Sequence, residues 1–262
     1  MRLKERQKGS TMVGMSNTAR QAVFAPLGSG RVDSVVERLS GAIAIGLIGA
    51  GEQLPRESEL ASSLGVSTVT LREALSQLRN LGMVTTRRGR GGGSFAGGPQ
   101  TLGEARARQR LRDLGAYELR DMGDLGLSIT GMSAVRAAQR ATADRLSHLE
   151  RLVDDLATAE TPAGRRQADG RFHVEIAAAA QSARLALLEL NLQAEWAELV
   201  WFTSRDDDGS AELFLAQVVT DHRAILAAIR DGDAERARAA AESHVEFGVE
   251  RVLDLHFLLN GD

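Results

Sequence analysis

The stretch Leu54–Phe95, LPRESELASSLGVSTVTLREALSQLRNLGMVTTRRGRGGGSF, constrains the fold more than any other part of this chain. Leu60 and Leu64 lie four apart and mark a short helix from about Glu57 to Leu64. Gly65 follows where a left-handed backbone commonly ends a helix. Ser67 is a good N-cap for the next helix, which runs to about Leu81 with Leu71, Leu75 and Leu78 facing inward. Gly82 closes it. Met83–Thr86 and Ser94–Ala96 read as two strands around a tip of Arg87-Arg88-Gly89-Arg90-Gly91-Gly92-Gly93. Two short helices, a tight turn and a basic, glycine-rich hairpin are the layout of a winged helix-turn-helix. That module sets one helix in the major groove of DNA.

The flanking sequence extends this picture. A helix is expected from about Asp33 to Ile48, with Val35, Val36, Leu39, Ile43 and Leu47 on one face and Gly49-Ala50-Gly51 at its end. Residues 1–30 lack apolar periodicity and read as a mobile arm. Gly97-Gly98-Pro99 reads as a linker. Beyond it, helical segments are expected near 101–113, 115–141, 142–160, 163–180, 182–204, 210–230 and 233–258, with no alternating strand pattern. The expected fold is mostly α. An arm (1–30) precedes a winged helix-turn-helix (31–97), and an all-α bundle for ligand sensing and dimerisation follows (98–262).

Composition narrows the chemistry. The 262-residue chain has no cysteine, so disulfides, thiolate metal sites and cysteine nucleophiles are excluded. No apolar run reaches membrane-spanning length, and the basic start MRLKERQKGS lacks the apolar core of a secretory signal. A cytoplasmic location, without a membrane partner, is expected. The net charge of −3 is uneven: +4 over residues 1–30, +2 over 31–98 and −9 over the rest. A basic front suits contact with a polyanion.

The third helix offers its first turn to base edges. Ser67 and Thr70 can bond phosphate or base, and Val69 can meet a thymine methyl. Arg72 reaches a guanine edge or a phosphate. Arg87, Arg88 and Arg90 on the tip can follow the backbone or enter the minor groove. Leu-Pro-x-Glu, Leu-Ala-x-x-Leu-Gly-Val-Ser, Leu-Arg-Glu-Ala-Leu and the Gly-Arg-Gly wing resemble the DNA-binding domain of the GntR family of bacterial transcription regulators, over about Val32 to Phe95. Two positions depart from the family. Thr68 stands where the family usually has an arginine, and Ser58 where it often has another. Both positions touch DNA in the family, and Arg56 can partly substitute for the second.

All five histidines fall in the helical half: His148, His173, His222, His244 and His256. Asp169 and His173 are four apart and share a helix face. His222 lies nine residues before Asp231, and His244 eleven after Asp233. Antiparallel helices around that turn bring the two to about the same height. Each histidine alone reads as a hydrogen-bonded core or surface residue. Three histidines and one carboxylate together suit Zn²⁺ or, with further oxygen ligands, Ni²⁺, Mn²⁺ or Fe²⁺. An octahedral ion then has two open positions for a small carboxylate.

Tyr117-Glu118-Leu119-Arg120, Ala137–Thr142, Asp169-Gly170-Arg171-Phe172-His173, Asp221–Ile225 and the late His244 resemble the FCD effector domain of FadR-type GntR regulators. That resemblance implies a divalent metal held by Asp169, His173, His222 and His244. Arg120 falls at an arginine common in this domain. It reads either as an intrahelical partner of Asp124 or as a clamp for the effector carboxylate.

The expectation is a transcription regulator, a repressor by family habit. It would bind a pseudo-palindromic operator as a homodimer and respond to a small carboxylic acid. Arg56, Ser67, Thr68, Thr70, Arg72, Arg87, Arg88 and Arg90 are its DNA-facing candidates. Two alternatives stay open. One is a metal-dependent enzyme fused to a DNA-binding head. The other is a metal-free bundle that only dimerises the heads.

Overall fold

The computed structural model describes residues 15–28, 30–97, 104–203 and 210–261. The winged head comprises α2 (Val32–Ala44), α3 (Glu57–Leu64), α4 (Thr68–Asn80) and a hairpin of β1 (Val84–Arg87) with β2 (Gly93–Ala96). The strands pair antiparallel from Val84↔Ala96 to Arg87↔Gly93. Gln53 bridges to Phe95, so the extended piece before α3 flanks the wing. Gly65 takes the left-handed conformation at φ 67°, and Ser67 Oγ accepts the Thr70 N–H at 3.0 Å. Both expected helix boundaries are therefore observed.

The bundle consists of α5 (Glu104–Asp113), α6 (Ala116–Arg140), α7 (Ala143–Ala157), α8 (Pro162–Ala179), α9 (Ala183–Phe202), α10 (Ser210–Arg230) and α11 (Ala234–Asn260). Each falls within a few residues of its expected segment. Thr161 caps α8 with Pro162 at its first turn, and Asp233 caps α11. Most of α8 is buried on all sides, because it is sandwiched between bundle and head. Its residues Phe172, Ile176 and Ala179 join the bundle core. Val174, Ala177 and Ala178 join the core of the head, together with Ala186 and Leu190 of α9.

Two expectations need correction. Residues 17–23 are not a mobile arm: α1 (Asn17–Val23) is a helix capped by Ser16, with Ala19, Ala22 and Val23 fully buried. Seven residues with two alanines on the buried face carry too little apolar signal to reveal a helix. Ser16 N–H donates to Glu175 Oε1 of α8 at 2.9 Å, and Arg38 of α2 donates to Ala22 O at 3.0 Å. The helix is thus pinned to bundle and head at once. Residues 1–14 of the expected arm, and Gly98-Pro99 of the expected linker, lie outside the described residues. Second, α2 stops at Ala44 rather than Ile48. Gly46, at φ 69°, turns the chain so that Ile45, Leu47 and Ile48 bury as a loop. A side chain at Gly46 would crowd Gln167 of α8, with contacts of 3.2–3.4 Å.

Candidate metal centre and nucleic-acid interface

Three bundle helices converge on one buried cluster. α8 supplies Asp169 and His173, α10 supplies His222 and α11 supplies His244. One ligand atom from each lies within 4.8 Å of all the others. Asp169 Oδ1 is 3.2 Å from His222 Nε2 and 3.7 Å from His173 Nε2. His173 Nε2 and His244 Nε2 are 3.2 Å apart. The surroundings hold these groups in place. Trp201 Nε1–H donates to Asp169 Oδ2 at 3.0 Å, which leaves Oδ1 to face the histidines. Asp221 Oδ2 lies 3.2 Å from His244 Nδ1 and orients that ring. Phe172 stacks on His222 with centroids 4.1 Å apart.

Within the cluster the carboxylate and the rings shift one another's protonation. Burial alone would raise Asp169, but the close approach and charge of His173 and His222 outweigh it and hold the carboxyl well below its usual range. Burial likewise opposes protonation of His173, yet Asp169 and then Glu189 raise it. His222 is pushed down to about 3 by burial, against the lift from Asp169. Both ring nitrogens of His222, and Nδ1 of His173, are buried without a hydrogen-bond partner; the 3.2 Å approach of His222 Nε2 to Asp169 lacks hydrogen-bond geometry. A buried unpaired nitrogen costs roughly 1–3 kcal/mol. Imidazole Nε2 atoms converging with one carboxylate oxygen fit a divalent cation, which would satisfy the unpaired His222 Nε2. His148 and His256 stand apart. His148 lies 3.7 Å from Glu175, and His256 pairs with Leu111 O at 3.0 Å.

A narrow cavity of about 30 Å³ opens beside Asp169, His173 and His244, room for about two waters. Its walls include Trp196, Trp201, Phe214 and Phe247, and its polar lining includes Thr130 and Gln193. Phe202, the next residue after Trp201 on α9, does not line it. Arg120 is not brought to this cavity. It is exposed on α6, one turn from the lining residues, over the ring of exposed Tyr117 at 5.9 Å.

The DNA-facing candidates are exposed on the head, except Thr70, which is half-buried. Thr68 and Val69 are exposed at the start of α4, Val69 at 71%. Ser67 Oγ and Thr70 Oγ1 bond each other at 2.8 Å. Arg72 pairs with Glu57 of α3 at 2.8 Å, which fixes its guanidinium across the two helices. Arg56 is exposed before α3, where its backbone N–H donates to Glu59 at 3.3 Å. Arg87 stacks over Phe95 at 4.2 Å, whereas Arg88 and Arg90 are exposed at the tip. Gly92 is required there, since a Cβ would lie 2.4 Å from Arg87 O.

A winged head with an exposed recognition helix, carried on a helical module with a ligand-ready buried centre, defines a DNA-binding regulator. Residues 31–92 match the model for bacterial regulatory proteins of the gntR family, and residues 121–247 match the FCD domain. The chain is 38% identical over 232 residues to RmpR of Mycobacterium gastri, named as an HTH-type transcriptional regulator, covering 87% of this chain and 82% of that one. It is 30% identical over 209 residues to the Uxu operon transcriptional regulator of Escherichia coli K12, covering 78% and 79%. The solved structure of E. coli McbR/YncC shares the fold at TM-score 0.52 and 18% identity, covering 87% of this chain and 99% of that one. This chain belongs to the GntR family of transcription regulators, with a C-terminal FCD domain. Its relatives are regulators and not enzymes. No helix among the described residues is long and apolar enough to cross a membrane.

Proposed function

We propose that this regulator is a repressor whose DNA binding is released by a small carboxylic acid received beside a divalent ion, Zn²⁺, Ni²⁺ or Mn²⁺, in the bundle. The observation that carries this reading is the buried convergence of Asp169, His173, His222 and His244, with His222 Nε2 facing the cluster and lacking a hydrogen bond. These four residues would hold the ion. When bound, it supplies a Lewis-acidic anchor for a carboxylate. Trp201 and Asp221 orient Asp169 and His244. Trp196, Phe214 and Phe247 give the adjoining cavity an apolar wall. This reading leaves out of the effector contacts Arg120, which is exposed on α6 about one turn from the cavity lining.

Two copies of the chain would present α4 to the half-sites of a pseudo-palindromic operator. Thr68 and Val69 meet base edges, and Ser67 and Thr70 add phosphate or base contacts. Glu57 holds Arg72 toward the same surface, and Arg56, Arg87, Arg88 and Arg90 contact the phosphate backbone or minor groove. The domain division at residues 31–97 and 98–262 fits these separate roles. Residues 15–28 act as a strap between head and bundle. Effector binding alters operator affinity only by favouring one placement of the heads.

Metal analysis by mass spectrometry, on wild type and His173→Ala, tests the centre. About one ion per chain, lost in the variant, is expected for a four-ligand site. Protein that takes up no Zn²⁺, Ni²⁺ or Mn²⁺ refutes the reading and leaves a bundle that only pairs the heads. Operator release by small carboxylic acids in a gel-shift assay then tests the repressor role.

A further inference from the structure

The helix α4 opens with three β-branched residues in succession, Thr68, Val69 and Thr70. Each is stiff at χ1 and lowers helix propensity, and the Ser67 cap holds the turn they form. Val69 is also 71% exposed, while Leu71, Ala74, Leu75 and Leu78 make the buried side of the helix. Packing of the head therefore does not call for an apolar side chain at position 69. A turn whose residues disfavour the helix they adopt, and which leaves a valine in water, points to a surface used for contact.

The polar groups around Val69 have other work. Ser67 Oγ and Thr70 Oγ1 bond each other at 2.8 Å. Arg72 Nε donates to Glu57 Oε2 at 2.8 Å, and its remaining N–H groups stay available for a phosphate or a guanine. A guanidinium cannot recognise a methyl group, whereas the exposed methyls of Thr68 and Val69 can. These two residues stand at the N-terminal end of the helix, the end that contacts base edges. In the major groove thymine alone of the four bases carries a methyl, at C5. An exposed isopropyl group gains by covering that methyl, and covering the polar edge of guanine or cytosine brings no such gain.

We propose that Val69, with Thr68 beside it, gives this regulator a methyl-reading operator preference. Each half-site carries a thymine whose C5 methyl meets the first turn of α4, and 5-methylcytosine substitutes for it. This rests on the reading of α4 as the base-contacting helix above, and the test separates the two.

The full-length protein first selects duplexes from a random-sequence library. Each thymine of the preferred duplex is then replaced in turn by uracil, which keeps the base pair and O4 and removes only the methyl. Fluorescence anisotropy reads the affinity. Replacement of one thymine in each half-site is expected to weaken wild type roughly four-fold, the worth of one buried methyl. Val69→Ala should weaken binding to the thymine duplex and bring the thymine-to-uracil ratio at that position toward one. Alanine is the better helix former, so the variant keeps the fold. Cytosine at the same position should bind worse than uracil or as weakly, and 5-methylcytosine should recover about four-fold over cytosine. Uracil tolerated at every thymine, or a ratio that survives Val69→Ala, overturns the proposal. If Thr68→Ala or Arg72→Ala nevertheless changes which duplexes are selected, α4 still reads the operator and only the methyl preference falls. Selection of the same duplexes by Thr68→Ala, Val69→Ala and Arg72→Ala overturns the reading of α4 and this proposal with it.

Discussion

His222 makes the metal-free protein acid-labile by an amount that can be worked out. Its ordinary value of 6.5 falls to about 3 in the folded chain, driven by burial. The folded state therefore excludes a proton that the unfolded chain takes up below pH 6.5. Stability from keeping this ring neutral is complete above that point and is lost as pH falls toward 3. At pH 5 the unfolded imidazole lies 1.5 pH units below its ordinary value, at about 1.36 kcal/mol each. The loss between pH 7.5 and pH 5 is thus about 2 kcal/mol. The figure is insensitive to the exact folded value, since a group titrating anywhere below pH 4 is neutral at pH 5. His173 is raised and contributes with the opposite sign. Comparison with His222→Gln, which retains His173, isolates His222 to first order. Urea unfolding of chelator-stripped protein at the two pH values reads the difference. Wild type is expected to lose about 2 kcal/mol more than the variant. Equal losses in the two proteins would refute the argument that a buried, neutral His222 is responsible.

Other substitutions test the remaining sites. Arg88→Ala and Arg90→Ala should each weaken operator binding and flatten its salt dependence by about one unit of log–log slope, measured by fluorescence anisotropy at several salt concentrations; an unchanged slope excludes a phosphate contact. Trp201→Phe removes the N–H that holds Asp169 Oδ2 and should lower Zn²⁺ affinity about 10-fold in a dye competition, with no change if the bond is incidental. Glu175→Ala strips Ser16 N–H of its partner at a local cost of roughly 1–3 kcal/mol. Amide exchange should accelerate in α1 and not in α8; equal protection in both proteins would show that Glu175 does not pin the strap.

The head was legible in the sequence because its signals are local. Gly65, Ser67 and Gly82 punctuate α3 and α4, and leucine spacing sets their inner faces. The four metal-cluster residues were legible for a related reason, since helix spacing and the length of the α10–α11 turn fix the heights of His222 and His244. What escaped depends on tertiary packing. Trp201 reaches Asp169 from 32 residues away, and Thr130 reaches Glu189 from 59. Nothing in either local pattern announces a partner so distant. Glu189 sits in a run of leucines and alanines and reads as an ordinary helix residue. Arg120 lies on a turn of α6 that faces solvent, while Gly123, Gly126 and Thr130 face the cavity.

The distribution of small residues explains how one helix serves both halves of the molecule. Asp169 and His173 project from α8 into the bundle, whereas Gly170 faces the head. A Cβ on Gly170 would lie 3.1 Å from Ile45 in the turn after α2. A Cβ on Gly41 of α2 would lie 2.9 Å from Ala194 Cβ of α9. At these two points head and bundle meet with almost no side-chain layer between them. A long, flexible side chain there would absorb small displacements by changing rotamer. Glycine against the branched Cβ of Ile45 cannot, and close-packed interiors transmit strain. The helix that carries Asp169 and His173 of the buried cluster is therefore in rigid contact with the DNA-binding head one residue away from Asp169.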